Sequence, residues 1–113
     1  MEQYYFDAFE NELNDILENY GLDQALIHYK IFIDEDIINN YNSLKYKDYL
    51  KTIYWKIIKQ IKLRAADYTC QKCEIKDILE VHHETYKHKG LEFIFFDDLI
   101  CLCEKCHKEE HKK

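Results

Sequence analysis

The chain has 113 residues, 34% of them charged, with a formal net charge of −6 and a pI near 5.5. That length allows one compact domain, or a small module with an appendage, and excludes two full-sized domains. No apolar run approaches the length that spans a bilayer, and no basic stretch followed by an apolar one opens the chain, so membrane insertion and secretion are disfavoured and a cytoplasmic protein is expected.

With no proline and only Gly21 and Gly90 as punctuation, the chain should be rich in helix. Tyr5, Phe6, Phe9, Leu13, Ile16 and Leu17 recur at helical spacing and give a first amphipathic helix, which Asn19-Tyr20-Gly21 can stop because glycine accepts the left-handed cap conformation. A second helix is expected from Leu22 to about Phe32, and Asp34-Glu35-Asp36 places negative charge where a third short helix can begin. Residues 1–44 hold ten acids and one base, a net of −9, and form an acidic helical segment. Its acids can attract a basic surface and gate it, or its apolar face can simply pack and complete a small core.

Residues 45–113 hold twelve acids and fifteen bases, a net of +3, and form the second region. Seven of those bases lie in residues 45–64 beside the single acid Asp48. There Leu50, Ile53, Tyr54, Ile57, Ile58, Ile61 and Ala65 predict one long amphipathic helix, with Ser43 placed to cap it. Lys51, Lys56, Lys59, Lys62 and Arg64 are the candidate phosphate contacts, although lysines at this spacing also suit an ordinary solvated helix face.

Cys70-Gln-Lys-Cys73 and Cys103-Glu-Lys-Cys106 each leave two residues between thiols, the spacing that lets both sulfurs of a tight turn reach one tetrahedral zinc. Together they predict a structural Zn2+ site of four thiolates, closed to water and substrate. A redox motif would need one such pair in a thioredoxin-like βαβ pattern, which is absent. The 29 residues between Cys73 and Cys103 exceed a simple finger loop and predict a structured insertion. Cys101, within the apolar run Leu99-Ile100-Cys101-Leu102, is expected to be a buried small side chain.

His107 and His111 sit four apart on an expected C-terminal helix, so their imidazoles share a face and can share one metal ion. One of His82 and His83, ending a short apolar strand, can complete a three-histidine site with open positions. Regular alternation would send those two histidines to opposite faces, so their joint use requires the strand to end or distort there. Glu84, Glu92 and His88 read as solvated loop or strand residues, Tyr86 as packing against the strand, and His28 as structural or exposed.

The order Cys-x-x-Cys, His82-His83, Asp98 before Leu99, and Cys-x-x-Cys-His107 resembles the zinc-knuckle branch of the HNH endonuclease family over roughly residues 46–112. The resemblance implies an α+β fold, mostly helical. A small ββα-metal unit, with strands near 79–83 and 99–102 and a helix near 104–112, is stapled by the four-cysteine zinc and preceded by the helical segment 1–44. It also implies His83 as general base, and His82, His107 and His111 as holders of one catalytic divalent ion, Mg2+, Mn2+, Ni2+ or Zn2+. Asp98 takes the place where the family usually has asparagine, which pins the His-His turn. An ionised aspartate accepts hydrogen bonds but cannot donate them, and it can instead bind metal. The function implied is metal-dependent hydrolysis of nucleic acid, DNA in the first place, leaving 5′-phosphate ends. An alternative is a non-catalytic HNH-like zinc module that binds a protein partner through residues 1–44; a zinc-stapled DNA-binding regulator lacks a recognition-helix pattern.

Overall fold

Apolar spacing and caps place the first three helices where expected. The computed structural model describes residues 3–111, with side chains described for 4–110. Helix α1 is Gln3–Tyr20, α2 is Leu22–Phe32 and α3 is Glu35–Ser43. Gly21, between α1 and α2, has φ 91°, a backbone state that a side chain would strain. Asp34 caps α3 by accepting the Ile37 N–H at 2.8 Å, and Glu35 and Asp36 put charge in its first turn.

The single long basic helix is a correction. The chain instead forms α4, Tyr46–Tyr49, then a turn, then α5, Ile53–Ala65. Thr52 makes the break: its Oγ1 donates to the Tyr49 carbonyl at 2.8 Å and accepts the Trp55 N–H at 3.1 Å, so it caps α5. Ser43 is not that cap; it ends α3 and donates to the Asn40 carbonyl.

The contacts group into two compact units. One comprises the chain through Ile58 together with Lys89–Leu91; the other comprises Lys59–His88 and the chain from Glu92 onward. In the first, four buried tyrosines form the centre. Tyr29 and Tyr54 stack with ring centres 4.0 Å apart, and Tyr41 meets Phe6 and Tyr49 edge-on. Glu10 binds this core from α1: its carboxylate accepts the Tyr41 hydroxyl at 2.6 Å and the Ile53 and Tyr54 N–H groups at 2.7 and 3.2 Å. The acidic segment therefore shares one core with residues beyond 44, while Asp7, Glu12, Asp15, Glu18 and Asp23 stay exposed. Gly90, φ 91°, is clamped by two tyrosines. The Tyr29 hydroxyl donates to its carbonyl at 2.6 Å, and its N–H donates to the Tyr49 hydroxyl at 3.0 Å.

The second unit holds a two-stranded antiparallel hairpin, β1 (Leu79–His83) with β2 (Leu99–Cys103), and helix α6 (Glu104–His111) packed on both strands. This is the ββα arrangement expected. Residues 79↔103 through 83↔99 pair without a bulge. Alternation then sets Leu79, Val81 and His83 on one face, and Glu80 and His82 on the other. A single 3-10 turn, Phe96–Asp98, leads into β2.

Candidate metal and catalytic site

The first cysteine knuckle is built by tight backbone turns. Asp67 and Tyr68 take φ 53° and 52°, and Glu74 takes φ 67°, so the chain reverses sharply on either side of Cys70. Cys70 N–H donates to the Ile75 carbonyl, Glu74 N–H donates to the Cys70 carbonyl, and the Cys73 N–H points at the Cys70 Sγ, 3.5 Å away. Gln71 then fastens the knuckle to β2: its N–H donates to the Cys101 carbonyl at 2.8 Å and its Oε1 accepts the Cys101 N–H at 2.7 Å. The second knuckle spans the β2–α6 junction, and Lys72 forms an ion pair with Glu110 of α6.

These turns bring the sulfurs of Cys70, Cys73, Cys103 and Cys106 within 4.8 Å of one another. Cys73 and Cys103 Sγ are 3.6 Å apart. A tetrahedral zinc with bonds of about 2.3 Å separates its sulfurs by about 3.8 Å, so the four thiols fit a structural metal such as zinc. Burial opposes ionisation of Cys70, but N–H groups from Cys73, Cys103 and Lys72 outweigh it and bring the thiol down to about 6. Burial, above all, pushes Cys106 up to about 12. Cys101 is fully buried and outside the cluster, and burial raises its thiol as well.

On the face opposite His83, the rings of His82 and His107 have centres 5.2 Å apart, and His107 Nδ1 lies 2.7 Å from Glu80 Oε2. A carboxylate on Nδ1 is the usual outer partner of a metal-ligating histidine, leaving Nε2 to face an ion. His82, His107 and Glu80 thus stand together on this face, while among the described residues the four cysteines are the one group of three or more ligating side chains close enough to share a metal. The His111 side chain lies outside the described residues, although its backbone continues α6 one turn past His107.

His83 stands apart from that pair. It is 2% exposed, and its Nε2 meets Glu92 Oε2 at 2.9 Å, with Glu92 itself 1% exposed. Glu92 is not the solvated residue expected; a lone acid inside Leu91-Glu92-Phe93-Ile94-Phe95-Phe96 was the signal for a buried, paired carboxylate. Tyr86 lies over the His83 ring at 5.4 Å while remaining 49% exposed. His88 also departs from expectation. Its Nδ1 is 2.6 Å from Asp98 Oδ2, and its ring stacks on Phe95 at 3.6 Å. The Asp98 carbonyl accepts the Glu84 N–H at 2.7 Å, so Asp98 pins the chain after His-His through its backbone. Glu84 itself is exposed, as expected.

Of the five basic residues expected to face phosphate, Lys51, Lys56 and Arg64 are exposed and Lys59 is half-buried. Lys62 is 6% exposed; its ammonium lies 4.5 Å over the Phe96 ring and 3.5 Å from the Phe96 carbonyl, and burial lowers its pKa. Its position on α5 turns it inward despite its charge. His28 is partly buried beside Phe32 and Glu12.

The model of the HNH endonuclease family matches residues 70–113. No curated protein and no solved structure was found to match the chain. No helix among the described residues is long and apolar enough to cross a membrane.

Proposed function

We propose that this chain, an HNH endonuclease-family module over residues 70–113, hydrolyses phosphodiester bonds of DNA with a divalent metal. The observation that carries this reading is the pairing of His82 with His107, 5.2 Å apart on one face of the hairpin, with Glu80 on the Nδ1 of His107. His111, four residues along α6, is the third ligand in this reading. A divalent ion there, Mg2+, Mn2+, Ni2+ or Zn2+, supplies positive charge beside the scissile phosphate and its departing oxygen. Cys70, Cys73, Cys103 and Cys106 hold a zinc that stabilises the fold and takes no step. Lys51, Lys56, Lys59 and Arg64 meet backbone phosphates, and Lys62 is left out because it is buried.

Supercoiled plasmid is the direct substrate for a test. Zinc-loaded protein should convert it to nicked or linear forms when Mg2+, Mn2+ or Ni2+ is added, and chelation should stop the reaction. Intact plasmid under every metal would overturn the reading.

One observation favours a second reading, a non-catalytic module that binds a protein partner through residues 1–44. Tyr20, Ile27, Ile31 and Phe32 expose apolar side chains along α1 and α2, beside a groove lined also by Ile16, Gln24 and His28. Protein that binds DNA in no salt condition and cuts under no metal would support it.

A further inference from the structure

We infer that the groove between α1 and α2 takes a basic amphipathic helix of a protein partner. This rests on the part of the second reading above in which residues 1–44 bind a protein, and it holds whether or not the module cuts DNA.

The groove follows from helix spacing. α1 and α2 pack on each other across Gly21. Phe6, Phe9 and Leu13 of α1, with Ala25 and Tyr29 of α2, turn into the core. Ile16 and Tyr20 then form one row on α1, a turn apart, and Ile27 and Ile31 form a second row on α2. The valley between two such rows is the shape that accepts the side-chain ridge of a third helix. Tyr20, Ile27, Ile31 and Phe32 are 73%, 47%, 66% and 56% exposed. Apolar surface is therefore left open along the 11 residues of α2, about 16 Å at 1.5 Å per residue. A second depression, walled by Tyr5 and Ala8, continues the groove from His28 and Phe32 toward the start of α1.

The charge around this valley selects its occupant. Glu12 lines the second depression, with its side chain 66% exposed. Helical spacing sets two more exposed acids at the edge, Asp15 one turn beyond Glu12 and Asp23 one turn before Ile27. Residues 1–44 hold ten acids and the single base Lys30. A second copy laid groove to groove would set these acids against themselves. A second copy offering its basic α5 has no apolar stripe to insert, because Tyr54, Trp55, Ile57 and Ile58 are buried in its own fold. Nucleic acid and anionic lipid headgroups meet the same repulsion. A helix whose apolar stripe is flanked by lysine or arginine satisfies both features at once. Its stripe fills the valley, and its flanks meet Glu12, Asp15 and Asp23.

The test uses the full zinc-loaded chain and a fluorescent peptide of about 18 residues, with leucine at heptad a and d positions and lysine beside them, read by anisotropy. Binding should saturate at one peptide per chain, weaken as salt rises, and be absent for the same peptide with glutamate in place of lysine. Ile27→Gln combined with Ile31→Gln, both at exposed positions, should keep the fold by circular dichroism and weaken binding about ten-fold or more. Asp15→Lys, which leaves the apolar rows whole, should weaken it about threefold at low salt and less at high salt. Lysine peptide held equally by wild type and the double glutamine variant would overturn the inference, since bare charge attraction then explains the binding. Equal binding of the lysine and glutamate peptides would overturn the basic partner while leaving a protein-binding groove. Wild-type dimers in sedimentation that the double variant makes monomeric would overturn it in favour of a second copy. Monomeric wild type that binds neither peptide would remove the inference together with the reading of residues 1–44 as a protein-binding surface.

Discussion

His82 and His83 are adjacent in the chain, yet the hairpin gives them opposite surroundings. One side of β1 carries His83, almost wholly buried and 2.9 Å from the equally buried Glu92; the other carries Glu80 and His82, partly exposed and next to His107 of α6. One imidazole is thus buried against a buried carboxylate, whereas the other two rings keep part of their surface and have a carboxylate at their outer edge. The comparison teaches that histidine count is a poor guide to chemistry in this module. The strand face decides which histidine is buried and which stays partly exposed.

Both faces depend on the thiol cluster, so its loss should have the largest effect. Cys70→Ser or Cys103→Ser should release the metal and unfold the hairpin and α6, since metal ligation supplies much of the folding free energy of so small a unit. Elemental analysis and circular dichroism of the purified variants check this; wild-type protein lacking zinc would break the premise.

The buried face comes next. Glu92→Ala removes the buried partner of His83 Nε2 and should cost about 1–3 kcal/mol in chemical denaturation. His83→Ala should cost a comparable amount, so its cleavage is to be compared with that of Glu92→Ala at matched stability. A Glu92→Ala protein as stable as wild type would erase the distinction between the two faces.

The basic residues leading into the module should matter least. Lys56→Ala and Arg64→Ala should each weaken DNA binding a few-fold at low salt, lower the salt dependence of binding by about one ion, and leave stability within about 0.5 kcal/mol. Binding isotherms across a salt series measure this directly. Lys62→Ala should instead destabilise the fold, because its ammonium and stem pack on Phe96.

How much of this was legible depended on how local the cause was. The end of α1, the span of α2 and the start of α3 followed from apolar spacing, Gly21 and the acids at 34–36, all read within one turn of the chain, whereas the end of α3 at Ser43 did not. The four thiols followed from their spacing, the pairing of the two strands from the family resemblance, and the hairpin register then put His82 beside α6. The break before α5 was hidden because Leu50 and Ile53 keep the helical period while Thr52 caps across it. Glu92 on His83, Asp98 on His88 and Gln71 on Cys101 join residues 9, 10 and 30 apart, and no local pattern announces such partners. The clamp on Gly90 by Tyr29 and Tyr49 is longer still, and only the folded first unit creates it.

The central claim is that the face of β1 bearing His82 performs the chemistry while the four thiols and the His83 face hold the fold. His107→Ala tests it most directly, measured as plasmid nicking with Mn2+ or Mg2+ on protein matched to wild type in zinc content and melting temperature. The account predicts a folded, zinc-loaded variant whose nicking falls at least on the order of a hundred-fold, because the ion beside the phosphate is lost. A folded, zinc-loaded variant that nicks at the wild-type rate would contradict it.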